Sequence, residues 1–347
     1  MLLQQGRYNK MADTRNKQIS DIIAYQLKDK AIWLVFIVLF IGFSIANPRF
    51  MTIDNLLIMI RQVSMYGIAA IGMTFVILIA GIDLSIGTLI SLVNIVCAYL
   101  MVNSGIPIIP AILIALAVST LIGLLNGFLI ATIGIPAIIA TFASQVSFEG
   151  ATFLVSAGRP IPLTDDRFRV IGQGVIPGIG IPVPIVIMVA CFLLGSFILN
   201  KTYFGRYFYA IGGNEEAARL SGIRVERVKY LVYSLSGFFA GLAGIVLLSR
   251  TNSAQPTAGQ GWEFAVITCV VLGGVSISGG FGKLSNVLAG VLIIGALSNG
   301  MVLMNISSFT QMVIKGIVLV VAVGFDCLQK RGFFQQLFKK KKSEIKA

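Results

Sequence analysis

The stretch "AGIDLSIG", residues 80–87, places a carboxylate inside a long apolar run. An ionised Asp83 at membrane depth costs several kcal/mol unless it is buried in protein or lines water. Gly81 and Gly87 favour a broken helix whose ends expose backbone groups to a polar substrate. Asp83 is therefore a candidate for a substrate path or gate. The alternative is that Asp83 lies at a helix end on the aqueous boundary and, with Ser85, caps the next helix.

A second polar stretch, "TNSAQPTAGQGWEF" (251–264), combines amide, aromatic and acidic side chains. Gln255, Gln260, Trp262 and Glu263 are of the types that recognise sugars, and they predict an outer vestibule. An ordinary external loop is the alternative interpretation of the same residues.

The two halves of the chain share a weak internal sequence repeat. "LIAGIDLSIG" (78–87) resembles "VLGGVSISGG" (271–280), with Asp83 opposite Ser276 and Ser85 opposite Ser278, and "NGFLIATIGIP" (126–136) loosely resembles "NGMVLMNISSF" (299–309). Duplicated halves with polar breaks are typical of transporters, whose substrates pass at interrupted helices. The predicted substrate-path residues are Asp83, Ser85, Asn126, Gln255, Trp262, Glu263, Ser276 and Ser278.

A third stretch, "GNEEAARLSGI" (213–223), predicts a short, self-capped helix. Asn214 caps its start, Glu215 and Glu216 favour the positive end of its dipole, and Gly222 ends it in left-handed geometry. Such a helix on the cytoplasmic face serves as a peg for a soluble partner, whereas a plain solvated loop would need no caps. The predicted coupling residues are Asn214, Glu215, Glu216, Ala217, Ala218, Leu220 and Gly222.

Other site chemistry is absent from the sequence. The chain has no histidine, and its four cysteines (Cys97, Cys191, Cys269, Cys327) are scattered, so neither a metal site nor a disulfide framework is predicted. No cluster of acids and bases indicates an enzyme. "GGFGKLS" (279–285) lacks the first glycine and the hydroxyl of a phosphate-binding loop, so we expect no cofactor on this chain, with ATP and magnesium on a partner.

Composition indicates the solvent in which these residues lie. Of the 347 residues 56% are hydrophobic and 12% charged, and the mean hydropathy is +0.91, which predicts an all-α polytopic membrane protein. Small residues four apart, Gly123/Gly127 and Gly237/Gly241, would let helices approach closely. Apolar runs of about 20 residues predict ten spans. They are 31–46, 56–80, 86–103, 108–131, 136–156, 183–199, 229–250, 264–281, 284–304 and 307–326.

The net charge of +13 is concentrated in three blocks, in residues 1–30, in residues 201–229 and in the tail. Basic blocks that flank apolar runs indicate the cytoplasmic side of a membrane rather than a nucleic-acid surface. We therefore predict a cytoplasmic segment at 1–30, without a signal peptide, and a transmembrane domain at 31–326. A cytoplasmic coupling loop at 200–228 interrupts this domain, and a basic cytoplasmic tail at 327–347 follows it.

Several blocks resemble a known family. "EAARLSG" (216–222) is similar to the E-A-A-x-x-x-G loop of permeases in binding-protein-dependent ABC importers. "TYFGRYFYAIGGNEEAARLSGI" (202–223), "GMTFVILIAGIDLSIG" (72–87), "SAQPTAG" (253–259) and "VVLGGVSISGGFG" (270–282) resemble the ribose, galactose and xylose permeases, over about residues 35–330. Ala265 departs from the acidic residue that the family often has there.

The resemblance implies the ABC importer permease fold, an all-helical bundle of about ten spans that works as a dimer in the bacterial inner membrane, surrounded by lipid. It also implies an ATP-binding subunit on the cytoplasmic loops and a periplasmic binding protein that delivers a monosaccharide. The second permease copy can be identical or different. The alternatives are the same architecture importing a nucleoside or a sugar-like signalling molecule, or an ion-coupled carrier that acts alone through Asp83.

Overall fold

The computed structural model describes residues 32–330. The predicted N-terminal segment and the tail beyond residue 330 lie outside the described residues. The helices are α1 Ile32–Ala46, a 3-10 turn Pro48–Met51, α2 Ile53–Leu78, α3 Ile86–Val102, α4 Ile108–Ala131, α5 Ala137–Ser156, α6 Asp166–Gln173, α7 Val183–Lys201, α8 Tyr203–Gly213, α9 Glu215–Leu220, α10 Val225–Thr251, α11 Trp262–Leu272, α12 Leu284–Leu303 and α13 Ser308–Lys330. Two short strands, β1 Ile161–Pro162 and β2 Ser253–Ala254, form an antiparallel ribbon.

Ten apolar helices coincide with the ten predicted runs, and the prediction of an all-α polytopic membrane protein is confirmed. Seven of them are long and apolar enough to cross a membrane by length and composition, and α1, α3 and α11 are shorter. The predicted span at 264–281 is wrong in extent: α11 has 11 residues and ends at Leu272. At about 1.5 Å per residue it covers about half of a bilayer core about 30 Å thick. The residues that follow it are irregular because Gly274, Gly279 and Gly280 have positive φ angles.

The central helices are buried and the peripheral ones are not. In α2, α10 and α12 between 67% and 72% of the most apolar stretch is buried, against 6% in α13. The outer faces of α4, α5, α7 and α13 carry large exposed hydrophobic side chains, which suits a surface that meets lipid.

Helix α4 packs closely on α10 through small residues, as their spacing predicted. A Cβ atom on Gly127 would lie 2.9 Å from the Tyr230 Cα atom, and one on Gly237 would lie 3.3 Å from the Gly123 Cα atom. Backbones approach this closely in membrane proteins only where the interface residues are small.

The two ends of the bundle carry different structures. Helices α8 and α9 lie at the end where α10 begins, and β2 follows at the other end, about 40 Å away along a helix of 27 residues. We call these the α9 end and the ribbon end. At the ribbon end Asp165 caps α6 by accepting a hydrogen bond from the Arg167 N–H at 2.9 Å. The Arg167 side chain donates to the same carboxylate and lowers the pKa of Asp165 below its usual value.

Candidate functional site

The helix break predicted around Asp83 is present. Helix α2 ends at Leu78, α3 begins at Ile86, and the Asp83 side chain between them is fully buried. Its carboxylate accepts hydrogen bonds from the Ser85 N–H at 3.0 Å, the Ser85 hydroxyl at 2.5 Å and the Ser236 hydroxyl at 2.7 Å. Ser85 is the N-cap residue of α3, but its side chain makes no capping hydrogen bond to the first N–H groups of that helix. Protein encloses the carboxylate, so Asp83 is not exposed to water in this chain.

These bonds extend across the bundle. The Asn126 amide on α4 donates to the Ser85 hydroxyl at 3.0 Å, and the Ser144 hydroxyl on α5 donates to the Asn126 side-chain oxygen. All five side chains are buried. We call this set the Asp83 network: Asp83, Ser85, Asn126, Ser144 and Ser236. It joins the break between α2 and α3 to α4, α5 and α10.

Residues 252–261 enter the bundle from the ribbon end. The Gln255 N–H donates to the Asn94 side-chain oxygen at 3.1 Å, and the Gly259 N–H donates to the Ser91 hydroxyl at 2.8 Å. Ser91 lies about 16 Å below the end of α3 at 1.5 Å per residue, which is about half-way across a bilayer core. This stretch is not an ordinary surface loop, because it folds back into the bundle against α3, and we call residues 252–261 the re-entrant loop.

Helix α11 therefore starts at mid-depth. Gly261 precedes it with a φ of +78°, and the Trp262 ring packs on Tyr66 with ring centroids 4.4 Å apart. Glu263 is 3% exposed, and its Oε1 atom accepts a hydrogen bond from the Gln145 amide at 3.3 Å. Its Oε2 atom has no hydrogen-bond partner within residues 32–330. A Cβ atom on Gly87 would collide with this oxygen, so α3 makes room for it through a glycine.

A narrow cleft lies beside this carboxylate. Its accessible volume is about 10 Å³, which is room for about one water molecule. We call it the Glu263 cleft, and its lining comes from α3, α5, the re-entrant loop and α11. The lining residues are Thr88, Ser91, Gln145, Glu149, Pro256, Gln260 and Glu263.

A second break follows α11 and meets the first. The Gly280 N–H donates to the Leu78 carbonyl oxygen at 2.9 Å, and Gly279 packs against Ala80. Ser276 is buried with its hydroxyl unpaired within the described chain, and Ser278 is exposed. The structure places neither serine in the Asp83 network or the lining of the Glu263 cleft.

At the α9 end the predicted short helix is present with both of its caps. The Asn214 side chain accepts from the Ala217 N–H at 2.9 Å, and Gly222 has a φ of +84°. Glu215 pairs with Lys229 at 2.8 Å, and Arg219 pairs with Glu226 at 3.1 Å. The plain-loop interpretation is therefore wrong.

The outward and inward faces of α9 differ. Leu220 is 81% exposed, and Glu216 and Ala217 are also exposed. Ala218 is 4% exposed and packs into the core of its own chain. We therefore expect Ala218 to anchor the helix rather than to enter a groove on a partner.

Comparison with known proteins places the chain in a family. A family model described as the permease component of branched-chain amino acid transport systems matches residues 55–323. The chain is 43% identical to the ribose import permease protein RbsC of Haemophilus influenzae, over 90% of this chain and 96% of that protein. The chain belongs to this permease family, on its simple-sugar branch. No solved structure gives a significant match.

Other relatives of the permease are also named for sugars. RbsC of Bacillus subtilis is 46% identical over 83% of this chain and 89% of that protein. The L-arabinose transport system permease protein AraH of Escherichia coli is 41% identical over 84% of this chain and 88% of that protein. The resemblance to simple-sugar ABC importer permeases is confirmed.

The permease gathers some predicted residues and leaves others apart. Asp83, Ser85 and Asn126 meet in the network, whereas Glu263 and Gln260 meet in the cleft. Trp262 packs on Tyr66 and is not among the lining residues. Gln255 contributes its backbone to the anchoring of the loop, and its side chain is exposed. Ala265 is buried in α11 and leaves an apolar surface where the resemblance implied a carboxylate.

Sequence reasoning missed the contribution of α5 to both sites. Ser144 joins the Asp83 network, and Gln145 and Glu149 line the cleft. Two amide or acidic side chains four apart in an apolar helix were a signal that could have found this face, because such residues in a span rarely face lipid.

Proposed function

We propose that this permease forms half of the membrane path of an ATP-driven importer for a monosaccharide, a ribose-like pentose or a hexose. The observation that carries the proposal is a pair of polar interruptions in an apolar bundle, the Asp83 network and the Glu263 cleft. Transporters bind their substrates at interrupted helices. Full-length relatives named for ribose and L-arabinose support a sugar rather than another solute.

The energy source lies on a partner. The sequence holds no phosphate-binding loop, so an ATP-binding subunit, with its ATP and magnesium, docks at the α9 end and the permease itself catalyses no reaction. The exposed side of α9, with Leu220 outward and ion pairs behind it, supports this assignment.

Orientation and delivery follow from the same assignment. The α9 end and both termini face the cytoplasm of a bacterial cell, and the ribbon end receives the sugar from a periplasmic binding protein. A second permease copy completes the path in the inner membrane. The basic residues around α8 and α9 support this orientation, since positive charge collects on the cytoplasmic side.

Reconstitution tests the proposal. The permease is placed in liposomes with the ATPase and the binding protein of its own operon, and uptake of radiolabelled ribose, arabinose, xylose and galactose is measured. We expect uptake of at least one sugar that needs ATP and the binding protein and is insensitive to ionophores. Uptake of nucleosides alone would assign the alternative substrate, and uptake by the permease alone along an ion gradient would overturn the ATP-driven mechanism.

A further inference from the structure

We propose that the Glu263 cleft is an intramembrane subsite that binds the hydroxyl groups of the translocated sugar. The permease itself, and not only the protein that delivers the sugar, would then discriminate between sugars. This inference rests on the proposed function and adds to it the residues that recognise the substrate inside the membrane.

The chemistry of the lining favours a neutral, hydroxyl-rich ligand. Glu149 and Glu263 supply carboxylates, Gln145 and Gln260 carboxamides, and Thr88 and Ser91 hydroxyls. Within the described chain the lining holds no lysine or arginine, so an anion meets two carboxylates and no positive charge. A sugar hydroxyl both donates and accepts, so neighbouring hydroxyls can donate to a carboxylate while they accept from an amide N–H.

Glu263, which lines the cleft, also carries an unused acceptor. The Oε2 atom of Glu263 is buried and has no hydrogen-bond partner within residues 32–330. Buried polar atoms are nearly always paired, and an unpaired one needs a specific explanation. A hydroxyl of a bound sugar is a donor that would pair with it.

A long hydrogen bond closes the cleft. The Gln145 amide of α5 reaches Glu263 of α11 at 3.3 Å, near the upper limit for such a bond. With room for about one water, the cleft in this state admits no sugar. A sugar enters only when α5 and α11 separate, and the sugar's hydroxyls then replace this contact.

Neighbouring elements hold both walls of the cleft. The re-entrant loop is fixed to α3 through Ser91 and Asn94, so that wall is rigid. Helix α5 is tied to the Asp83 region one turn from Gln145, where the Thr141 hydroxyl accepts from the Leu84 N–H at 3.1 Å. Opening of the cleft is thereby linked to the break at Asp83.

An aromatic residue precedes Glu263 at the start of α11. Trp262 is next to Glu263, is partly exposed and is held by Tyr66. Trp262 is not among the lining residues, so its ring serves as a reporter of binding in the neighbouring cleft rather than as one of its walls. A cation is the competing occupant that the test must separate.

Direct binding is the first test. The chain has two tryptophans, so Trp33→Phe leaves Trp262 as the only one. The purified W33F permease, in detergent and without a binding protein, is titrated with ribose, arabinose, xylose and galactose, and separately with sodium and calcium chloride. We expect ribose to change the Trp262 emission saturably, and Gln260→Ala, at an exposed position, to weaken that binding by about 10-fold, the loss of about one hydrogen bond. No response to any sugar, or a response only to the cations, would overturn the inference.

Selectivity in the complete transporter is the second test. Gln145→Leu and Glu263→Gln are compared with wild type for uptake of ribose and of a deoxy analogue that the same binding protein still binds. The same binding protein delivers both sugars to the variant and to the wild type. Its own preference therefore cancels when the ribose-to-analogue uptake ratio of the variant is divided by that of the wild type. We expect the preference for ribose to fall by about 10-fold or more, since a site built to bind a hydroxyl discriminates strongly against its loss.

The control is Ser147→Ala, an exposed position on α5 that is not among the lining residues. It should keep both uptake rates and the basal ATPase activity. Unchanged preference in Q145L and E263Q while the wild type transports sugar would overturn this inference and leave the proposed function intact. A wild-type complex that transports no monosaccharide would overturn both.

Discussion

The backbone N–H of Gly280 donates a hydrogen bond to the carbonyl oxygen of Leu78, with a nitrogen–oxygen distance of 2.9 Å. This bond joins the last residue of α2 to the break after α11. Gly212, near the end of α8, packs against both of these backbone groups. The segment that leads into α9 thus rests directly on the two helix breaks, one of which carries Asp83.

This junction predicts that Gly212→Ala impairs the permease. A Cβ atom there would collide with the Leu78 carbonyl and the Gly280 nitrogen, both of which are backbone and cannot swing aside. Overpacking of this kind typically costs about 1–3 kcal/mol. We expect a lower melting temperature in detergent and weaker coupling of ATP hydrolysis to uptake, measured in the reconstituted complex.

The adjacent Gly213 provides the matched control. A Cβ atom on Gly213 meets no atom within 4 Å. Gly213→Ala should therefore keep the wild-type melting temperature and coupling ratio. Equal behaviour of the two alanine variants would contradict the role of the junction.

A second prediction concerns the charge of Asp83. Asp83→Asn keeps the shape and an acceptor for the Ser85 N–H, and the Ser236 hydroxyl can turn to accept from the new amide. Asp83→Leu removes every acceptor and leaves buried donors unpaired, at about 1–3 kcal/mol for each group. We expect D83N to fold and assemble with altered uptake-coupled ATPase activity, and D83L to be strongly destabilised in gel filtration and thermal melts. If D83N took up sugar at the wild-type rate, the path or gate role would be excluded and only the capping role of Asp83 would be left.

Local sequence signals predicted much of the fold. Ten apolar runs became ten apolar helices, and the caps of α9 were readable because Asn214 and Gly222 act on backbone a few residues away. The truncation of α11 was missed because hydropathy does not register whether an apolar stretch is helical. The glycines of residues 273–282 were the available signal.

The candidate site depended on contacts distant in sequence. The path of the re-entrant loop is set by side chains of α3 that lie 161 and 168 positions before the groups they bind. Gln145 reaches Glu263 over 118 positions. No pattern within either segment announces such a pairing, so the cleft became visible only when the helices were packed.

Topology gives a third prediction. In a background without the four native cysteines, a single cysteine at Glu215 should react with a membrane-impermeant maleimide only after the cytoplasmic face is opened, and one at Val175 should react in intact spheroplasts. Glu215 is half-exposed at the start of α9, and Val175 is exposed in the connection before α7, at the opposite end of the bundle. Labelling of position 215 from outside would contradict the assignment of the α9 end to the cytoplasm.

The faces of α9 give the fourth prediction. Leu220→Asp places a charge on a side chain that is 81% exposed in the permease alone, so the isolated protein should melt as the wild type does. If α9 enters an apolar groove on the ATPase, as helices do in helix-in-groove contacts, the charge should reduce ATPase recovery in a pull-down by about 10-fold or more, a loss of at least about 1.4 kcal/mol.

Ala218→Leu provides the opposite case on the same helix. Its larger side chain would face the core of the permease, where Ala218 is 4% exposed, and should lower the melting temperature of the permease itself. Helix α9 has six residues and is too short to be stable unaided, so its position depends on this anchor and on the Glu215–Lys229 pair. Binding of the ATPase by L220D at the wild-type level would mean that α9 is not the docking element and only connects α8 to α10.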